Sequence, residues 1–199
     1  MEFGVFILNG QRDTATRPRT IYSGMVEQVR HAEQLGFAVA WFAEHHFANY
    51  CLTPSPLAMI NHVAALTSRI RLGPAVIVAP LYEPLRLIED IAVADQLSNG
   101  RLVLGFGSGY QHYEFGKFGV DLATAKEKLE ETLEVVEQLY TRESIAFGGR
   151  HIRIPETFLA VRPLQAKPDI FIAGHGFSRP LIQRMARQHY TLFISTGWS

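Results

Sequence analysis

The chain has one cysteine, Cys51, among its 199 residues, so no internal disulfide can brace it, and its cysteine usage is compatible with a reducing compartment. It has no excess of either charge: Lys and Arg total 19, and Asp and Glu total 19. Without a global field there is no electrostatic case for nucleic acid, an acidic substrate or a membrane surface; a small neutral ligand or a locally held anion fits better. No apolar run approaches the roughly 18 residues of a membrane span. The apolar stretch 1–8 is short, lacks a preceding basic region and runs into a polar segment, unlike a secretory signal, so the expected location is cytoplasmic.

What is present is a composition for one sizeable core, 47% hydrophobic and 19% charged, and a repeating alternation of strand and helix patterns. Apolar, β-rich runs predict strands at 3–8, 38–42, 71–78, 101–106, 169–173 and 191–195. Between them, helical spacing predicts helices at 22–35, 56–67, 84–97, 124–140 and 178–188, the second opened by Pro54, Ser55 and Pro56. Alternation around Gly148 and Gly149 predicts a β-hairpin at 144–154, an insertion suited to a lid. Strands that read as continuous apolar runs, separated by helices, imply a parallel sheet covered by helices. The glycine signature of a doubly wound nucleotide fold is missing after the first strand, where Leu8-Asn9-Gly10-Gln11 leads into an arginine-bearing loop. The expectation is therefore an α/β chain of the (β/α)8 TIM-barrel type, one domain over 1–199, incomplete because about six strands are present where a full barrel takes about 250 residues.

Two clusters carry chemistry. Trp41-Phe42-Ala43-Glu44-His45-His46-Phe47 follows the second strand, on the face where barrel enzymes assemble their sites. Adjacent side chains on extended backbone diverge, which disfavours a two-histidine metal site; no metal is expected. Either one imidazole is a buried hydrogen-bonding residue and the other faces solvent, or one serves as a base or hydrogen-bond partner near a substrate. Leu104-Gly105-Phe106-Gly107-Ser108-Gly109-Tyr110 follows the fourth strand, where alternate glycines leave one wall open to a flat ring or a phosphate; a tight strand-to-loop turn would use the same residues. Gly174-His175-Gly176-Phe177-Ser178 opens onto a helix whose free N–H groups suit a phosphate.

Five blocks in order resemble the bacterial-luciferase-like family: Met1-Glu2-Phe3-Gly4, Glu44-His45-His46-Phe47, Arg71-Leu72-Gly73 leading to Ala79-Pro80, Asp95-Gln96-Leu97-Ser98-Asn99-Gly100-Arg101, and Glu114-Phe115-Gly116-Lys117-Phe118-Gly119. The resemblance implies a flavin-dependent monooxygenase in which reduced FMN, supplied by a separate flavin reductase, and O2 oxidise a small organic substrate. It assigns His45 as the active-site histidine. It assigns Ala75 and Val76 as a pair joined by a cis peptide bond beneath the flavin ring, with Gly107, Gly109 and Tyr110 beside them. Ser108, Lys126, His175, Gly176, Ser178 and Arg179 fall at the phosphate positions, and Gly107 stands where luciferase has a cysteine, which opens space. A homodimer is implied through the second and third helices, with Ala58, Ala64, Ala65, Ile91, Ala92 and Ala94 as its small and apolar residues. Two other readings stay open: a deazaflavin-dependent hydride-transfer oxidoreductase, which would want a more basic groove, and a non-catalytic flavin-binding protein.

Overall fold

The computed structural model describes residues 1–174 and 176–194; His175 and Ser195 lie outside the described residues. Six strands form the barrel wall: β1 Gly4–Ile7, β2 Val39–Phe42, a strand in two halves (β3 Arg71–Pro74 and β4 Ile77–Val78), β5 Leu104–Gly107, β8 Ile170–Ala173 and β9 Thr191–Phe193. A hairpin, β6 Ser144–Gly148 and β7 Arg153–Phe158, is inserted before β8. All wall pairings are parallel, running β1-β2-β3 and then β4-β5-β8-β9, so the fold is an α/β barrel of the TIM type, incomplete in this chain.

The apolar run 71–78, expected as one strand, changes partner midway. β3 pairs with β2, β4 pairs with β5, and a single bridge from Leu72 to Leu102 spans the changeover. The first half of the run carries Arg71, Gly73 and Pro74 and the second half is Ile77 and Val78; Pro74, which cannot donate to a ladder, stands immediately before the break and marks it.

The helices are α1 Pro18–Gln34, α2 Pro56–Ala64, α3 Pro84–Leu97, α4 His112–Phe118, α5 Ala125–Thr141 and α6 Arg179–Gln188. α1 starts four residues before the predicted helix: Pro18 fixes its first turn, and Arg17 before it offers no side-chain cap to signal the start. Its buried residues Met25, Val26, Val29 and Ala32 recur at helical spacing on one face. Ser55 caps α2 through Ala58 N–H, and the Glu83 carboxylate caps α3 through Leu85 and Arg86 N–H. α4 was not expected; it is seven residues long, contains Gly116 and ends at Gly119 with φ of 68°.

On β2 and β8, fully buried residues that face the helices alternate with partly buried ones that face the barrel interior. Phe42, Leu72, Phe106 and Ile172 make the helix-facing core. On the inner face, Trp41 stands edge-on to Phe171 and Phe193, with centroids 4.9 and 4.8 Å apart, and forms a floor. Gly105 permits this packing, because a Cβ there would lie 2.2 Å from the Pro74 carbonyl oxygen and 2.9 Å from the Phe193 ring.

Two expectations are corrected by packing. The hairpin runs to Phe158, its Ile145, Ile152 and Ile154 belong to the main core, and the Glu131 carboxylate on α5 accepts the N–H groups of Arg150, His151 and Ile152 at 2.8, 3.0 and 2.8 Å. It is a fastened part of the outer layer, not a lid. Ala64, Ile91, Ala92 and Ala94 are buried within the chain's own core, which leaves only Ala58 and Ala65 of the expected interface residues exposed.

The Asp95 to Arg101 block is a structural joint at the N-terminal ends of the strands. Asn99 and Gly100 both take positive φ, and the turn delivers Arg101 against four carbonyl groups: Ser98 O at 2.8 Å, Ile70 O at 3.0 Å, Ala64 O at 2.9 Å and Thr67 O at 3.3 Å. One guanidinium thus ties the ends of α2 and α3 to the start of β3. Replacing it with an apolar residue of similar length strands those carbonyls, so Arg101→Met is expected to lower unfolding free energy in urea by about 2–4 kcal/mol. A change below about 0.5 kcal/mol would show that the joint is held by packing alone.

Candidate active site

The loop after β2 carries the site. Ala43 N–H bonds to Ile7 O and His45 N–H to Thr53 O, so the loop is held at both of its ends. Glu44 is buried, 3% exposed, and its carboxylate is fully used: Oε1 lies 3.0 Å from His46 Nε2, and Oε2 accepts Val78 N–H at 3.1 Å and Tyr82 O–H at 2.9 Å. Burial pushes the Glu44 carboxyl above the usual range; the bonds from His46, Val78 and Tyr82 oppose that rise without cancelling it. Burial and the Glu44 charge likewise push the Tyr82 phenol up.

His45 turns the other way, as divergent neighbours should. Its Nδ1 lies 3.0 Å from Oε1 of Glu114 on α4, and the same oxygen accepts His46 N–H at 2.9 Å and Tyr113 O–H at 3.3 Å. The ring meets Tyr50 and Tyr110 edge-on, with centroids at 5.1 and 5.9 Å, and its side chain is 13% exposed. His46 packs instead on Phe47 and Phe118. Each histidine therefore has its own carboxylate, and neither faces solvent freely.

A second pocket lies past the ends of β5 and β8, lined by Ser108, Lys126, Glu130, Gly174, Phe177 and Ser178, with Leu129 and Leu181 behind. Lys126 Nζ donates to Gly176 O at 2.9 Å. Ser178 caps α6 by accepting Leu181 N–H at 3.1 Å, and its hydroxyl also bonds to the Glu130 carboxylate. A helix N-terminus, two hydroxyls and an ammonium suit a phosphate. The cavity has a volume of about 10 Å³, so an incoming phosphate would have to open it, displacing the Glu130 carboxylate from Ser178 and drawing Lys126 away from Gly176 O.

The structure therefore brings the expected residues together in two groups. His45 and Tyr110 form the first; Ser108, Lys126, Gly176 and Ser178 form the second, and the segment 107–110 connects them. The Ala75–Val76 peptide bond is cis, as the resemblance implies, and lies at the partner change between β3 and β4. Gly107 does not open space: the direction of its missing side chain is filled by Val76, whose Cγ2 would lie 2.8 Å from a Cβ. Together with Gly105, it shows the alternate glycines accommodating the protein's own atoms. Arg179 is exposed on the first turn of α6 and does not line the pocket. Glu44 and Glu114 were quoted within motifs but given no role. Their signal was a carboxylate inside an otherwise apolar, aromatic block, which asks for a buried partner.

The incomplete TIM-type barrel thus carries, at its strand ends, a carboxylate-braced histidine and a pocket with an ammonium and a helix N-terminus. The chain belongs to the luciferase-like monooxygenase family, whose model matches residues 1–198. It is 44% identical over 196 residues to the uncharacterized protein y4vJ of Sinorhizobium fredii, covering 98% of this chain and 55% of that one. It is 30% identical over 177 residues to the oxygenase component of the flavin-dependent trigonelline monooxygenase of Acinetobacter baylyi, covering 87% of this chain and 49% of that protein. Among solved structures, monooxygenase RslO1 from Streptomyces bottropensis superposes with a TM-score of 0.90 at 25% identity, covering 98% of this chain and 59% of that one. The chain spans about half the length of the curated relatives it matches.

Glu44 generates a pH test. Its carboxyl is raised in the folded state, so folding holds that proton more firmly than the unfolded chain does. The associated stability is complete below the ordinary carboxylate pKa of about 4.3 and is lost as pH rises through the folded value. Glu44→Gln keeps acceptors for Val78 and Tyr82 and has no proton to lose. In urea melts at stepped pH, the stability of the parent relative to Glu44→Gln should fall as pH rises from 4 to 8. A pH-independent difference would remove Glu44 from the titration.

Proposed function

We propose that the protein is a flavin-dependent monooxygenase that takes reduced FMN from a separate flavin reductase and uses O2 to oxidise a small organic substrate. The observation that carries this reading is the convergence, at the C-terminal ends of the strands, of a carboxylate-held histidine with a pocket offering one ammonium, two hydroxyls and a helix N-terminus. Membership of the family and the 30% identity to a flavin-dependent oxygenase component support it.

In this reading Ser108, Lys126, Gly176 and Ser178 hold the FMN phosphate, and Ala75, Val76, Gly107, Gly109 and Tyr110 line the ring. Bound flavin would supply the electrons that let one oxygen atom of O2 enter the substrate and the other leave as water. His45, whose Nδ1 is taken by Glu114, would accept or return a proton at Nε2, which has no hydrogen-bond partner among the described residues. Tyr50 and Tyr110 keep water from the ring edge of His45, and the Trp41–Phe171–Phe193 floor closes the site from below. The pocket sets the Glu130 carboxylate in the same lining as Lys126, which argues against the more basic groove that the acidic tail of a deazaflavin would want.

The test compares FMN with riboflavin, which lacks the phosphate. Lys126→Glu should weaken FMN by about 10- to 100-fold, since charged hydrogen bonds contribute about 1.5–3 kcal/mol, and leave riboflavin nearly unchanged. Glu130→Gln should do the reverse, tightening FMN alone by removing the competing carboxylate. Equal effects on both ligands would place the phosphate elsewhere.

The reading includes a two-fold homodimer, now through exposed Ala58 and Ala65 together with Val93 and Leu97 of α3, which are 37% and 58% exposed. Sedimentation at micromolar concentration should give a dimer that Ala65→Arg dissociates; a parent that sediments as a monomer would refute it.

A further inference from the structure

The contact between His45 and Glu114 contains more information than its distance. Oε1 of Glu114 receives the backbone N–H of His46 at 2.9 Å, and a backbone amide can only donate. That oxygen is therefore an acceptor, and the Tyr113 hydroxyl at 3.3 Å is oriented to donate to it as well. The third neighbour, His45 Nδ1 at 3.0 Å, has to be a donor too, because two acceptors at that separation would repel. The proton of the neutral imidazole then sits on Nδ1, and Nε2 is left with its lone pair.

We propose that Glu114 is the positioning residue that fixes His45 in the Nδ1–H tautomer and thereby makes Nε2 the proton-accepting nitrogen of the site. The free imidazole side chain favours the opposite tautomer, so the protein has to impose this one through the bond at the other nitrogen. Three features make Glu114 able to do so. It is 2% exposed, so water does not compete for its oxygen. It is anchored on α4, next to the fully buried Phe115. The His46 N–H clamp uses the same oxygen, so the backbone carrying the ring and the ring itself are registered to one atom. Tyr50 and Tyr110 limit rotation of the ring about that bond by standing edge-on to it. The alternative orientation, with Nε2 toward Glu114, would leave Nδ1 facing those tyrosine edges.

The role of Nε2 in turnover rests on the proposed monooxygenase function; the tautomer does not, and the experiment separates the two. The protein without added flavin, labelled with 15N in its histidines, is examined by NMR above pH 8, where the neutral ring is read, with the His45 signals assigned by their loss in His45→Asn. The parent should show a protonated Nδ1 and an unprotonated Nε2. Glu114→Gln, which keeps the shape but can present an amide N–H₂ to the ring, should shift the population toward Nε2–H, and Glu114→Asp should restore part of the parent pattern. Nε2–H in the parent, or a parent pattern unchanged in folded Glu114→Gln, would overturn the proposal. The parent spectrum alone decides the first point, so failure of a variant to fold leaves the test intact. Where substrate turnover is measurable, Glu114→Gln should lower kcat by about 10- to 100-fold with little change in flavin affinity, within the range that general acid–base catalysis contributes. Loss of flavin affinity with an unchanged tautomer would make Glu114 merely structural.

Discussion

The Glu44 carboxylate is the constraint on which the rest of this site is built. An isolated charge at that depth would cost several kcal/mol, and the fold offsets it with donors from three separate places: the next turn of its own loop, the end of β4 and the approach to α3. Because each donor must reach the same two oxygens, the loop after β2 and the two-residue strand β4 are positioned relative to each other without any extended ladder between them. His46, held at its ring by Glu44, is held at its backbone by Glu114, and Glu114 in turn orients His45. The His45 imidazole is thus the last member of a chain of polar contacts that begins at Glu44, its neighbour in sequence.

The sequence blocks shared with the luciferase-like family divide into two kinds when placed in three dimensions. Asp95 to Arg101 lies at the N-terminal ends of the strands, where Asp95 accepts Gln165 N–H at 2.8 Å and Arg101 collects carbonyls; these residues join the barrel's elements. Glu44 to Phe47 and Glu114 to Gly119 lie at the opposite ends and meet each other through Glu114. Two blocks separated by 68 residues in sequence are one unit in space.

Much of the fold was legible because its strands and helices are long enough for periodicity to speak, and because Gly36, Pro56 and Pro84 punctuate them. What was not legible followed from physics that hydrophobicity does not encode. The partner change at Ala75–Val76 follows Gly73 and Pro74, punctuation that periodicity alone passes over. α4 is too short for its period to register and contains a glycine. The small residues of α3 read equally well as a subunit interface or as packing under the barrel's own wall, and burial decided for the wall. In the site, the position of His45 at the strand end was legible from its motif, whereas its partner Glu114 was not, because the contact joins a loop to a helix too short to be foreseen. The alternate glycines of β5 suit either room for a ligand or a tight turn; in the structure Pro74 and Val76 stand where side chains at Gly105 and Gly107 would point.

The partner change in the third strand has a mechanical consequence. A continuous sheet transmits stiffness through its backbone ladder, but here the ladder is interrupted between β3 and β4, and apart from the bridge at Leu72 the two sub-sheets meet along a seam. Polar side chains cross it at both ends. Arg101 reaches back from the β5 side to Ala64 and Ile70, and Arg71 on β3 pairs with Asp169 before β8; at the other end Glu44 reaches forward from the β2 side to Val78 and Tyr82, and Glu114 reaches back to His45 and His46. Slow opening motions of the wall should therefore divide along this line into two cooperative units, with their coupling set by these side-chain contacts more than by the sheet.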